Sequence, residues 1–198
     1  MIVIDVEASG LDLQKHSIVS VGAIDLKHPS NQFYEECRIW EGASSMESAL
    51  AINGFSFEDI TNPEKQSLES LMRSFLNWID QTDELTLAGQ NPSFDRDFLH
   101  SSAARYHLNW PLAHRTIDLH SICYFHLIKQ GVPVPLKNRH SALNLDTILE
   151  HCGIAGGEPK PHNALMGAKS AAECLSRIMY DEKLLTEFSA FEIPWAVK

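Results

Sequence analysis

Three carboxylates and one histidine stand where a sequence could do chemistry. Asp5 and Glu7 lie in "VIDVEASGLD", at the end of an apolar run that reads as a short buried strand over 1–6. Residues two apart on a strand share a face, and their Cα atoms lie roughly 6.6 Å apart. Carboxylates so spaced suit a shared hard cation, Mg²⁺ or Mn²⁺; strand-end charges in solvent are the plainer explanation of the same pair. Asp95 falls in the first turn of a helix after "LTLAGQN". Negative charge there complements the helix dipole. A strand ending at Gly89 and a helix starting near Asn91 also place it at a sheet edge, where α/β folds gather ligands. His162 follows "EPKP" and opens the last long helix. It reads as a surface residue or as a general base, since imidazole titrates near neutral pH.

The elements that must carry these residues follow from periodicity. "SIVSVGAIDL" (17–26) and "NQFYEECRIW" (31–40) read as strands joined in a hairpin by "KHPSN". The segment 41–63 reads as irregular. Leu68, Leu71, Met72, Phe75, Leu76 and Ile79 recur at helical spacing. "LTLAG" is a short strand. Asn91 is placed to cap the next helix and Pro92 to begin it, with Pro111 as its limit. A further helix covers 117–129, stopped by Gly131. "GVPVPLKNRHS" and "IAGGEPKP" are loops around the short helix "LNLDTILEHCG". The last helix carries an apolar stripe through Leu165, Ala168, Ala171, Ala172, Leu175 and Ile178. Strands first, then a strand alternating with helices, predict an α/β architecture with a mixed sheet.

The chain has 198 residues, 44% of them hydrophobic, which suits a single domain over 1–198 with a sizeable core. No apolar run is long enough to span a membrane, and no secretory signal opens the sequence. Cys37, Cys123, Cys152 and Cys174 are scattered without a C-x-x-C pair, as suits reduced thiols in a cytoplasmic protein. A net charge of −10 argues against coating long duplexes. It is compatible with gripping a few nucleotides at one end, above all where metal ions supply local positive charge.

"DVEASGLD", "AGQNPSFDRDFL" and "PHNALMGAKSAAE", in that order, resemble the motifs of the DEDD-type 3′→5′ exonucleases, the superfamily of ribonuclease T, oligoribonuclease and the proofreading subunit of DNA polymerase III. The resemblance runs from Val3 to about Ile178. It implies a ribonuclease-H-like fold: a mixed five-stranded sheet flanked by helices. It also implies Asp5, Glu7 and Asp95 as ligands of two Mg²⁺ or Mn²⁺ ions and His162 as the general base of the histidine-bearing branch. Ser9, Gly10 and Leu11 would hold the 3′-terminal nucleotide, Leu11 against its base. The implied partners are 3′ ends of single-stranded RNA or DNA, and the implied products nucleoside 5′-monophosphates. Two cations about 3.5–4 Å apart stabilise both attacking and leaving oxygens of a phosphodiester.

The pattern breaks once. Where the family places a fourth carboxylate, five residues after the histidine, this chain has Gly167. Glu173 is too far along the helix to replace it. One ion should then be held weakly, and a domain that binds ends without efficient cleavage is the alternative. Lys137, Arg139, His140 and Lys160, in the two loops before His162, are placed either to guide phosphates or simply to face solvent. His100, His107 and His114, spaced by seven, would be a metal cluster only on one helix, which Pro111 forbids. Asp118 is expected to pack or hydrogen-bond at the fold's edge.

Overall fold

A computed structural model describes residues 1–157 and 160–195. Among them, β1 (Ile2–Ala8), β2 (Ile18–Asp25), β3 (Gln32–Glu36), β4 (Leu87–Gly89) and β5 (Thr116–Asp118) form one sheet in the order β3-β2-β1-β4-β5. The first three strands are antiparallel neighbours, and β4 and β5 join parallel to β1. The mixed five-stranded sheet is therefore as expected. β1 is longer than 1–6, so Glu7 lies on the strand itself.

Alternation along β1 sorts its side chains to two cores. Ile2, Ile4, Val6 and Ala8 face α3 (Leu68–Ile79) and α4 (Pro92–Arg105). Val3 faces α5 (Leu119–Gln130), α6 (Leu145–His151) and α7 (Ala164–Tyr180). Asp5 and Glu7 continue the Val3 face, where further apolar residues would otherwise complete the core. The buried stripe of α7, through Ala168, Ala171, Ala172 and Leu175, packs across β1 and β2.

Several boundaries differ from the sequence expectation. Residues 116–118 are strand β5, and the helix begins only at Leu119, capped by the Asp118 side chain. The segment 41–63 contains two helices, α1 (Glu47–Asn53) and α2 (Phe57–Thr61). The loop after Gly131 contains a small hairpin, β6 (Leu136–Lys137) and β7 (His140–Ser141). β3 stops at Glu36 rather than 40. α4 ends at Arg105, so His107 and His114 lie beyond it. Of the loop 154–161, Glu158 and Pro159 lie outside the described residues. All four cysteines are buried free thiols. Among the described residues, no helix is long and apolar enough to cross a membrane.

Candidate active site

The carboxyl end of β1 outruns β4. β4 pairs with β1 only through Ile2 and Val3, leaving the Val6 N–H without a strand partner. Asp95 supplies one: its Oδ1 accepts from Val6 N at 2.8 Å. The contact brings α4 onto the strand between Asp5 and Glu7, joining residues 89 apart in sequence. Asp95 is only 3% exposed. Burial pushes its carboxyl up to about 8, the charge of Glu7 adds to the rise, and the Val6 N–H opposes it. Glu7 is itself buried, and Asp5 half-buried. Asp95, from α4, thus reaches the end of the strand that carries Asp5 and Glu7. Asn91 holds the N-cap position as expected, but in a left-handed conformation that leaves its side chain without a capping bond. Its N–H donates instead to Asp118 Oδ1 at 3.1 Å.

The other wall is α7. Asp5 pairs in register with Gly22 on β2. A Cβ at Gly22 would meet the backbone of Ala164 and Leu165 at 2.1–2.2 Å. Only glycine lets the first turn of α7 sit this close to the strand opposite Asp5. Asn163 caps that turn, accepting from Leu165 N and Met166 N, and its amide donates to the Tyr34 hydroxyl on β3. Gly167 is buried one turn along from Ala164 on the same stripe.

His162 lies two residues before α7 rather than within it. Its N–H donates to Ile52 O at 3.1 Å. Pro161 packs against Gly54, whose φ of 75° ends α1 in the left-handed region open to glycine. Asn53 Nδ2 donates to Ala8 O at 3.2 Å. The C-terminal turn of α1 therefore ties the His162 segment to the residue directly after Glu7. Ile52, Asn53, Gly54 and Gly22 are positioning residues that the sequence reading missed. The glycine stop after "SALAIN" and an isolated glycine inside a strand pattern were the available signals.

Of the expected nucleotide-binding stretch, Ser9 is fully buried, its Oγ donating to Ser44 O and accepting from Ser17 N. Its hydroxyl holds the loop. Gly10 is buried, whereas Leu11 is 71% exposed at the loop tip beyond the carboxylates.

Among the described residues, no three His, Cys, Asp or Glu side chains close around a common ion position. The donor set still fits a hard divalent cation in kind. It is all oxygen, and Asp95 is a buried acid beside a like charge, which an added cation would relieve. Ser20, paired in register with Glu7, is fully buried, and its hydroxyl has no partner among the described residues. Glu173 is no substitute ligand. Its Oε1 takes Arg177 Nε at 2.7 Å, and its Oε2 takes the N–H groups of Leu184 and Leu185.

No protein-family model and no curated protein matches the sequence. Solved structures do match. The nuclease domain of 3′hExo, a DEDDh family member seen bound to rAMP, superposes with a TM-score of 0.68 at 18% identity, over 93% of each chain. Cell-death related nuclease 4 (CRN-4) gives 0.71 at 13% identity, over 92% of this chain and 64% of that one. E. coli Exonuclease I in complex with a dA16 oligonucleotide gives 0.70 at 15% identity, over 91% of this chain and 41% of that one. The chain thus has the length of the first domain and spans under half of Exonuclease I. At these identities the likeness establishes the architecture: the chain shares the ribonuclease-H-like fold of these nuclease structures.

Proposed function

We propose that the chain is a metal-dependent 3′→5′ exonuclease that shortens single-stranded RNA or DNA from its 3′ end and releases nucleoside 5′-monophosphates. The observation that carries this reading is the buried Asp95 carboxylate, brought by α4 to the strand segment that bears Asp5 and Glu7. Asp5, Glu7 and Asp95 would hold Mg²⁺ or Mn²⁺. When bound, such ions supply Lewis acidity to the scissile phosphate and stabilise the departing 3′ oxygen. His162, held by Ile52 O, accepts the proton of the attacking water. Gly10 and Leu11 receive the terminal nucleotide, the exposed Leu11 side chain lying against its base. Burial of Glu7 and Asp95 limits water around the developing charge.

Gly167 favours a second reading, an end-binding domain with little turnover. It occupies a buried place on the α7 stripe where a fourth carboxylate would complete the ligand set. Incubation of 5′-labelled single-stranded RNA and DNA with Mn²⁺, with product lengths resolved, separates the two. The enzyme produces a ladder shortened from the 3′ end, and chelator stops it. An intact strand that is nevertheless retained by the protein supports the second reading.

A further inference from the structure

We propose that the β6–β7 hairpin grips the phosphodiester backbone of the single strand upstream of its terminal nucleotide. This rests on the site described above being a nucleic-acid 3′-end site. The hairpin stands beside the same sheet edge. Leu143 O, just past β7, accepts from Gln90 Nε2 at 2.9 Å, and Gln90 directly follows β4. His120, in the first turn of α5, contacts Ser141 Oγ at 2.6 Å. Both anchors lie at the carboxyl ends of β4 and β5, the side from which Asp95 enters.

Its charge is opposite to that of the chain. The protein carries 26 acidic and 16 basic residues, yet no Asp or Glu occurs between Asp118 and Asp146. Lys137, Arg139 and His140 are exposed at the hairpin tip. Among the described residues no carboxylate forms an ion pair with any of the three, although most exposed lysines elsewhere are paired, as Lys27 is to Asp83 and Lys183 to Glu192. Lysine and arginine charges left open beside an anionic centre suit a polyanion that must arrive there.

The turn geometry points the same way. Lys137 pairs with His140, so Asn138 and Arg139 form a two-residue loop, with φ of 52° and 68°. Positive φ at both positions is the arrangement for which Asn-Gly is favoured. Asn138 suits it; Arg139 stands where glycine would relieve backbone strain. A guanidinium kept at a strained turn, with no ion-pair partner among the described residues, is spent on something outside the chain.

The test is equilibrium binding by fluorescence anisotropy, in Ca²⁺, of single strands about three and about ten nucleotides long. Both readings of the site require such binding. The double variant Lys137→Ala/Arg139→Gly should bind the long strand more weakly and the short one as the parent does. Its salt slope should fall by up to about 1.4, so that a fourfold rise in salt costs it about sevenfold less affinity than it costs the parent. Arg139→Gly alone should raise Tm while weakening long-strand binding, opposite signs that a purely structural role would not give. Coincident binding curves for parent and variants on the long strand overturn the hairpin's role and leave the active-site reading standing. A parent that binds neither strand overturns that reading, and the hairpin's role with it.

Discussion

Two groups of buried acids in this chain meet opposite fates. Glu173 on α7 has no exposed side-chain area, and neither has its partner Arg177, 2.7 Å away. Every polar end of that pair is taken: Arg177 also donates to the carbonyls of Cys152, Phe188 and Glu192, and Glu173 also accepts from Leu184 and Leu185 N–H. Asp95 is nearly as buried, but its charged neighbour is Glu7, and it forms no ion pair among the described residues. The first arrangement is complete within the chain and ties the C-terminal segment to α6 and α7. The second gathers negative charge at the tip of a central strand, a state that a proton or an added cation would relieve. A buried acid with its own partner is structure; one beside a like charge at a sheet edge is a candidate site.

Substitutions can break this contrast, the largest effect at the strand tip. Asp5→Ala should reduce 3′→5′ cleavage to background while far-ultraviolet circular dichroism stays unchanged. Retained cleavage would move the site elsewhere. His162→Ala should lower kcat by roughly 10²–10⁴-fold with little change in KM, and partly recover as pH rises. A variant as fast as the parent would leave His162 a surface residue.

Arg177→Ala addresses the other side of the comparison. It strands Glu173 in the interior and should cost about 3–5 kcal/mol in urea unfolding. Mn²⁺ affinity of the folded fraction should not move; if it falls, the two acid groups are not independent.

Asp95 sharpens the contrast through pH. Its folded carboxyl is raised to about 8, above the value of an unfolded aspartate. The folded state therefore holds an extra proton, and the stability tied to it is present at low pH and lost as pH rises through about 8. Metal-free parent should lose Tm from about pH 5 to 8, and Asp95→Asn should lose less across the same window, though inactive. Equal slopes would remove Asp95 from the buried, like-charged setting. The smallest effect is expected from Gly167→Asp. It should raise initial rates several-fold at low Mn²⁺ and shrink to little at saturation, as mass action fills the weak site. Coincident curves would mean that another group supplies the ligand.

How much of this could be read from the sequence follows from the length of each signal. β1 and α7 were legible because an apolar run marks most of the first and a helical stripe runs through the second. β5 was not: three residues, "TID", carry no period, and only pairing with β4 makes them a strand. α2 was missed although Ser56 and Asp59 form a capping box, and α1 although Gly54 marks its stop. The hairpin escaped because its turn is Asn138-Arg139, not Asn-Gly. At the site, residue types and order pointed to Asp5, Glu7, Asp95 and His162. The bond from Val6 N to Asp95 and the seat of α7 on Gly22 exist only after folding. No spacing rule joins them.

In the function proposed above, a divalent cation completes the acid cluster at the end of β1. One Mn²⁺ titration, following both Tm and the rate of shortening of a 5′-labelled single strand, tests it for parent and Asp5→Ala. In the parent both quantities should rise together over one concentration range, and in Asp5→Ala the rate should stay at background and the stabilisation be lost. Cleavage in excess chelator, or an Asp5→Ala curve that overlies the parent's, would contradict it.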